Sequence, residues 1–190
     1  LGGRKMFRDV FTETETKMKK SIEVLRSDFS TLRAGRANPA LLEKIRVEYY
    51  GTLTPLNQVA NISAPEPRLL TVQPWDKTIL EDIEKAILKS DLGLNPNNDS
   101  NILRIAIPQL TQESREELVR TIKKKAEEAK VSIRNIRREA NEQIKNREKA
   151  EGVSEDIVKK AQEKVQELTD KYIEEIERVF EAKEKEVMEV

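Results

Sequence analysis

Apolar residues recur every three or four positions in three long segments of the chain, which predicts three amphipathic helices. The first segment runs from Phe7 to Leu32, and the others run from Leu118 to Ile144 and from Val158 to Val179. Thr111 is the expected N-cap of the second helix and Ser154 that of the third. Packing the three stripes together predicts a long three-helix bundle in which the second and third helices form an antiparallel hairpin.

Between the first and second helices the apolar period changes from helical to two, which predicts short strands. The expected strands are Ile45–Tyr49, Leu56–Ser63, Arg68–Gln73 and Ile102–Ile107. A short helix is expected over Ile79–Ile87, ending near Gly93, and a turn over Asn95–Asp99. The chain is therefore predicted to be a two-domain α+β protein, with a small β/α/β domain inserted between the first and second helices of the bundle.

The expected domain boundaries follow the same change of pattern. The bundle takes residues 1–32 and 109–190, and the small domain takes residues 33–108. Because the chain crosses between them twice, hinge motion and an L-shaped molecule are expected. The predicted hinge residues are Gly35, Ala37, Asn38 and Pro39 in the first connection and Ile107, Pro108 and Gln109 in the second. Leu1–Lys5 lacks periodicity and is interpreted as a non-native remnant or a frayed end.

Composition excludes several classes of chemistry. The chain has no histidine and no cysteine, so it cannot build the usual zinc sites, thiolate nucleophiles or Ser-His-Asp relays. No phosphate-binding glycine loop is present, and carboxylates such as Asp76, Glu81 and Glu84 are interpreted as surface charge. No catalytic site, metal or cofactor is therefore expected. Apolar runs are too short for a membrane span, so a cytoplasmic protein without a membrane partner is expected.

The zero net charge is an average over segments of opposite sign. Residues 115–149 carry 12 basic and 7 acidic side chains, whereas residues 150–190 carry 7 basic and 13 acidic ones. On a helical wheel, cations cluster on one side of the second helix, centred on Arg134 and flanking the apolar seam. We call this set the basic stripe, and its predicted RNA-binding members are Lys123, Lys130, Arg134, Arg137, Arg138 and Lys145.

Two interpretations of the basic stripe remain open. Its side chains either solvate the helix and pair with the acidic third helix, or they bind nucleic acid. Three arginines within residues 134–138 favour folded RNA, because guanidinium groups grip phosphate with two hydrogen bonds. Aromatic side chains are missing from this face, which favours recognition of backbone and shape. Arg33 and Arg36 at the first connection are further RNA candidates, although they also suit the negative end of the first helix.

Six ordered motifs carry a resemblance to bacterial ribosome recycling factors. They are Leu32–Pro39, Glu48–Thr52, Thr54–Gln58, Asp91–Pro96, Val131–Arg138 and Val165–Asp170. The match covers essentially everything after Met6. The resemblance implies a hinged three-helix bundle with a small β/α/β domain. One departure is Leu53, where family members usually carry proline. Leucine leaves φ free and has a backbone N–H, so the segment could be looser and the stiffness of the hinge is in doubt.

The resemblance also implies a function. Such a protein binds the post-termination ribosome and, with elongation factor G and GTP hydrolysed by that partner, splits it into subunits. Messenger RNA and deacylated transfer RNA then leave. The implied site is large-subunit ribosomal RNA held by Arg134, Arg137, Arg138, Arg33 and Arg36, with a monomer as the expected state. The alternatives are a coiled-coil adaptor that binds proteins, for which no wide exposed apolar stripe is seen, and a transfer-RNA-binding arm without recycling activity.

Overall fold

A computed structural model of the protein describes residues 2–32 and 35–189. The helices are α1 (Gly2–Met6), α2 (Arg8–Ser30), α3 (Leu80–Lys89), α4 (Gln112–Glu151) and α5 (Glu155–Met188). The strands are β1 (Arg46–Tyr49), β2 (Thr52–Pro55), β3 (Ala60–Glu66), β4 (Leu69–Pro74), β5 (Pro96–Asn98) and β6 (Leu103–Ala106). Residues up to Phe29 and from Glu117 onward form one compact unit, and Ser30–Glu116 forms the other.

The first unit is a three-helix bundle of α2, α4 and α5, as predicted. Helices α2 and α4 are antiparallel, because Lys17 contacts Glu139 whereas Ser21, further along α2, contacts Ser132, which comes earlier in α4. The third stripe extends beyond its predicted end at Val179, because Val187 is also fully buried. The other buried apolar residues of the three long helices are those of the predicted stripes: Val10, Met18, Ile22, Leu25, Phe29, Ile122, Ala126, Ile133, Ala140, Ile144, Val158, Ala161, Val165, Leu168, Tyr172, Ile176 and Val179. Burial of these apolar side chains is the main source of stability of the bundle.

The predicted caps of the two long helices are confirmed. The Ser114 backbone N–H donates to the Thr111 hydroxyl at 3.0 Å, which satisfies one of the free donors at the start of α4. At the start of α5 the Ile157 N–H donates to the Ser154 hydroxyl at 3.4 Å. Gly152, between the helices, has a φ of 62°. A left-handed residue after a helix favours glycine, and it ends α4 before Ser154 begins the next helix.

The N-terminal segment is helical where a frayed end was one of the two expectations; Leu1 lies outside the described residues, and a non-native origin of Leu1–Lys5 stays a prediction. Gly2–Met6 forms α1, and the next residue, Phe7, is fully buried. Arg147 of α4 fixes this end: its guanidinium donates to the Met6 carbonyl at 2.7 Å and to both carboxylate oxygens of Asp9, at 2.9 and 2.7 Å. The same guanidinium lies 5.4 Å from the centroid of the Phe7 ring. The junction between α1 and α2 is stabilised because one cation satisfies a carbonyl, a carboxylate and a ring together.

The Arg147 contact makes a pH-dependent contribution to stability. The guanidinium hydrogen bonds lower the pKa of Asp9 from 3.8 to about 2. A carboxyl whose pKa is depressed by folding stabilises the protein above its unfolded pKa, and this contribution disappears as the pH falls through the folded value. Asp9 is largely exposed, so the contribution is about 1 kcal/mol after solvent screening.

We expect Asp9→Asn to lower the free energy of urea unfolding by about 1 kcal/mol at pH 6 and to have almost no effect near pH 2. The matched control is Glu163→Gln, which changes an exposed carboxylate with no partner among the described residues. Equal losses at both pH values would contradict the assignment.

The second unit contains two antiparallel sheets and one helix. Strands β1 and β2 form a hairpin, and the four-stranded sheet has the order β3-β4-β6-β5. Its core holds Leu42, Leu56, Leu70, Val72, Ile83, Ile87, Leu103 and Ile105, all fully buried. Helix α3 covers this core with Leu80, Ile83 and Ile87, at the helical spacing that the sequence predicts. The observed architecture is the expected α+β class, with an inserted β/α/β unit.

Three details of the small unit were wrongly predicted. Leu56–Gln58 is a turn of 3₁₀ helix, because Leu56 and Val59 are both buried at a spacing of three and the strand begins only at Ala60. Strand β2 lay outside the predicted set. Within the expected turn Asn95–Asp99, residues Pro96–Asn98 pair with β6 as an edge strand, the position in a sheet that tolerates proline.

Leu53 lies in the hairpin of the small unit. It is in β2, opposite Glu48 of β1, and its side chain is 70% exposed. The two connections between bundle and small domain lie elsewhere in the chain, around residues 35–39 and 107–109. Replacement of the family's proline by Leu53 therefore changes the hairpin directly, and an effect on hinge stiffness stays a prediction.

Candidate nucleic-acid interface

Helix α4 carries the basic stripe beside its buried seam. Lys123, Arg138 and Lys145 are exposed, whereas Arg134 and Arg137 are half-buried. The half-buried pair lies next to the seam, so the aliphatic part of each arginine is covered by the bundle while its guanidinium remains near solvent. This arrangement holds the charged groups in place with little loss of hydration.

Three members of the basic stripe have uncompensated charges. Arg134, Lys123 and Lys145 make no salt bridge and no side-chain hydrogen bond to any residue within 2–32 and 35–189. The interpretation that the stripe pairs with the acidic third helix therefore fails for these residues. A cation that folding leaves unpaired is available to a phosphate, and its contact with RNA breaks no existing ion pair.

Neutral amides orient two further arginines. Arg137 donates to the side-chain carbonyl of Gln166 at 3.5 Å, and Arg138 donates to that of Asn135 at 3.1 Å. A neutral partner restricts the direction of a guanidinium without cancelling its charge. Each arginine retains further N–H groups that can reach a phosphate.

Lys130 differs from the rest of the stripe. Its ammonium group contacts the carboxylates of Glu177 on α5 and Glu127 on α4, and its side chain is only 13% exposed. The hydrogen bond to Glu177 is the main cause of a raised Lys130 pKa. The sequence left open whether the stripe pairs with the acidic third helix or binds nucleic acid. Lys130 pairs with the third helix. Lys130 braces α4 against α5.

The predicted RNA-binding role of the two arginines of the first connection is not tested by the contacts of the described residues. Arg36 is exposed in the small unit and takes part in an interaction with another residue. Arg33 lies outside the described residues, so its predicted role stays a prediction. The RNA-binding assignment of both arginines rests on the sequence alone.

The predicted hinge residues have defined backbone contacts within the small unit. The Ala37 N–H donates to the Pro67 carbonyl at 2.7 Å, and the Ile107 N–H donates to the neighbouring Arg68 carbonyl at 2.8 Å. Both connections are thus attached to the same β3–β4 turn. The Asn38 side chain accepts from the Ala40 N–H at 3.0 Å and caps a 3₁₀ turn that begins at Pro39.

The second connection has one further side-chain contact. The Gln109 side-chain carbonyl accepts from Arg68 at 3.5 Å, while Pro108 is exposed. Gly35 has a φ of 77°, and a Cβ added there would lie 3.3 Å from the Leu110 Cγ. The two connections therefore approach each other closely at Gly35, where the backbone favours glycine.

Two of the three carboxylates considered for acid–base chemistry have structural partners. Asp76 accepts from the Thr78 N–H and hydroxyl, at 3.0 and 2.6 Å, and these bonds lower its pKa. Glu84 accepts from the Asn98 side chain at 3.1 Å, and Glu81 is exposed. In the described part of the chain, no group of three or more acidic side chains is arranged to hold a metal ion. None of its helices is long and apolar enough to span a bilayer.

One group of surface residues was missed by the sequence reasoning. An open cleft of about 850 Å³ in the small unit lies between β1 and α3, and Tyr50 is one of the residues that line it. A signal was present in the sequence. Tyr50-Gly51 occupies a hairpin turn at which asparagine is the usual first residue.

Comparisons with known proteins agree on one family. A sequence model described as ribosome recycling factor matches residues 25–188. The chain is 60% identical over 185 residues to the ribosome-recycling factor of Heliobacterium modesticaldum, covering 97% of this chain and 100% of that protein. It is 58% identical to the ribosome-recycling factor of Syntrophomonas wolfei, with the same coverage.

Solved structures give the same result. The solution structure of a ribosome recycling factor matches with a TM-score of 0.81 and 48% identity, covering 97% of this chain and 98% of that one. A second match, with a TM-score of 0.69 and 49% identity, covers 96% of this chain and 99% of that one. It is the T. thermophilus ribosome recycling factor in models that also contain E. coli elongation factor G, bound to the E. coli post-termination complex.

Proposed function

The chain belongs to the ribosome recycling factor family, and from this premise we propose that it binds the post-termination ribosome and, with elongation factor G and GTP, splits it into subunits. Ribosome recycling is its function. The observation that carries the proposal is the 60% identity over 97% of the chain. The T. thermophilus relative in complex with the post-termination ribosome and elongation factor G supports both partners. Release of messenger RNA and deacylated transfer RNA follows subunit separation.

The basic stripe on α4 is the proposed anchor on large-subunit ribosomal RNA. Arg134 is its central residue, because it is unpaired and its guanidinium can grip a phosphate with two hydrogen bonds. Lys123 and Lys145 extend the contact along the helix, and Arg137 and Arg138 add oriented donors. Lys130 is left out of the contact set, because Glu127 and Glu177 already neutralise it.

The chain itself is proposed to do no bond-making or bond-breaking chemistry. The free energy for subunit separation comes from GTP bound to the partner, and this chain transmits force. Because its proposed substrate is the post-termination ribosome, we place the protein in the cytoplasm. A monomer is the expected state, since the apolar stripes of three helices satisfy one another within the bundle.

We further propose that the two domains move relative to each other during recycling. Gly35–Pro39 and Ile107–Gln109 are attached to the β3–β4 turn, so these residues would move together with the small domain. The bending would then occur where each connection leaves these anchored residues. The chain has no cysteine, so pairs of introduced cysteines can be spin-labelled without background.

For the hinge, we expect labels at Lys77 and Val131, both exposed, to give a broad distribution of distances in pulsed electron paramagnetic resonance. Addition of post-termination ribosomes should narrow and shift that distribution, because one interdomain arrangement is selected. Labels at Lys164 and Val131, both in the bundle, are the control and should not change. A narrow and unchanged distribution for the first pair would reject a working hinge.

Subunit splitting tests the function directly. Post-termination ribosomes are mixed with the protein, elongation factor G and GTP, and light scattering follows the loss of intact ribosomes. We expect splitting only when both factors and GTP are present. A chain that binds ribosomes without splitting them would support the transfer-RNA-arm alternative, and one that binds only a protein partner would support the adaptor. Light scattering of the free chain also measures its oligomeric state.

A further inference from the structure

The turn between β1 and β2 has an unusual residue at its first position. Tyr49 pairs with Thr52, so the loop contains only Tyr50 and Gly51, and their φ values are 49° and 77°. Positive φ at both positions defines a turn of type I′, which favours asparagine followed by glycine. Tyrosine in the left-handed region costs about 1 kcal/mol or more.

Packing within the small unit does not offset this strain. The Tyr50 side chain is 87% exposed, the largest exposure among the large apolar and aromatic side chains described. Its one ring contact is with Tyr49, whose ring lies 4.5 Å away at an interplanar angle of 73°. A T-shaped contact occupies at most one face of the Tyr50 ring, so the other face is open to solvent. The fold therefore presents an aromatic platform that its own core does not use.

The Tyr50 side chain is part of the lining of the cleft between β1 and α3. The wall on the side of β1 carries Lys44 and Arg46, and the wall on α3 carries Lys85 and Lys89. The two α3 lysines are four residues apart and so lie on one face of the helix. None of these four cations forms an ion pair or a side-chain hydrogen bond within the described part of the chain.

The cleft also contains acceptors. Glu48, Asp82 and Asp91 line it together with the four cations, so the net charge of its lining is small. A uniformly basic groove would hold any polyanion. Mixed unpaired charges beside an aromatic ring fit nucleotides, because phosphates bind the cations, a base stacks on the ring, and carboxylates accept hydrogen bonds from amino groups of the base.

We propose that this cleft of the small domain binds a short single-stranded RNA segment, with one base stacked on Tyr50 and the backbone held by Lys85, Lys89, Lys44 and Arg46. The basic stripe of α4 has no aromatic residue and is suited to folded RNA. The cleft is therefore a second RNA-binding site with a different mode of recognition. It does not depend on the proposed function, and its primary test needs no ribosome.

The test measures binding of a fluorescein-labelled RNA octamer to the full-length protein by anisotropy, with Arg134→Ala as the background that weakens the stripe. We expect Tyr50→Asn to weaken binding about tenfold through loss of stacking. Its unfolding midpoint should stay equal or rise, because asparagine suits the turn. Tyr50→Trp should keep the affinity. If the octamer had the same affinity for the Tyr50→Asn variant as for the background protein, the proposal would be overturned.

The cations are tested by the salt dependence of the same binding. Lys85→Ala with Lys89→Ala should reduce the slope of log affinity against log salt by about 1.4, since each single-strand phosphate contact contributes about 0.7. Lys77→Ala is the matched control, because Lys77 is exposed in the same domain and does not line the cleft. Equal slopes for the double variant and this control would contradict the assignment of phosphates to the α3 lysines.

Cross-linking identifies the source of the RNA. An aryl azide on Thr52→Cys, beside the turn, is activated on post-termination ribosomes, and the attached RNA is sequenced. Cross-links to ribosomal RNA or to messenger RNA support the proposal and distinguish its two sources. Cross-links to proteins alone would overturn it. Subunit splitting measured on the same labelled protein shows separately whether the recycling function holds.

Discussion

Replacing Arg134 by glutamate is expected to weaken binding to ribosomes about a hundredfold. The substitution removes a cation that has no partner among the described residues and adds a like charge facing phosphate. Arg134→Ala should cost about tenfold and lower the salt slope by about 1, because one phosphate contact is lost. The affinity of Arg134→Lys for ribosomes should lie between those of the parent and the alanine variant, because lysine keeps the charge but lacks the planar guanidinium group. Binding is measured by sedimentation with ribosomes across a salt series.

The matched control for Arg134 is Arg178→Glu. Arg178 is an exposed arginine on α5 whose observed partner is Glu174 on the same helix. Charge reversal there changes the net charge of the chain equally and leaves the stripe intact. Similar losses of affinity for the two variants would mean that ribosome binding responds to overall charge, and the stripe would lose its assigned role. Circular dichroism should show the same helix content for both variants.

Replacing Gly35 by valine is expected to destabilise the small domain by about 2–3 kcal/mol and to slow subunit splitting. Gly35 has a φ of 77°, a conformation that β-branched residues strongly disfavour. A Cβ there would also lie 3.3 Å from the Leu110 Cγ, so the second connection must shift. Urea unfolding measures the stability, and light scattering measures the splitting.

Gly93→Val separates the two causes. Gly93 also has a positive φ, of 64°, but no atom lies within 4 Å of the position of an added Cβ. The Gly93→Val variant should therefore lose stability through backbone strain alone. Its rate of subunit splitting should be unchanged, apart from any effect of lower stability. Adding Leu110→Ala to Gly35→Val should recover part of the lost stability by removing the crowding. If Gly35→Val and Gly93→Val lost equal stability and split ribosomes at equal rates, the close approach of the two connections would have no role in recycling.

The adaptor alternative has little support in the surface of the bundle. Within the described residues, the exposed large apolar side chains of the three long helices are Val24, Val131 and Met188, and they are separated in sequence. Binding of a partner helix needs an apolar stripe that extends over several turns. The predicted seams are instead buried in the bundle, where each helix covers the stripes of the other two.

Much of the candidate site could be predicted from the sequence. A wheel drawn for α4 places Arg134 beside the seam, because a long uninterrupted helix has a known period. The same wheel could not distinguish Lys130 from Arg134. Lys130 meets Glu177, which lies 47 residues later, and only the register of α4 against α5 decides that contact. Arg134, four residues along the same helix, has no such partner.

The small unit shows the corresponding limit for strands. Leu56 and Val59 look like members of one alternating strand, yet both are buried by a 3₁₀ turn, since short apolar runs fit either period. Pro96–Asn98 has the composition of a turn and becomes an edge strand because β6 lies alongside it. The cleft at Tyr50 combines residues from β1, its turn and α3, more than 30 residues apart. The unusual Tyr50-Gly51 turn is a local signal, but no local pattern indicates that α3 lies beside it.

The sequence by itself determined the three helices, their caps, the inserted α+β unit and the family, because periodicity, capping and ordered motifs are local properties of a chain. Tertiary structure alone decided which cations stay unpaired, how Arg147 holds the junction of α1 and α2, where the two connections meet and which residues form the cleft. These features depend on contacts between residues far apart in the chain, and such contacts are set by the packing and register of whole elements.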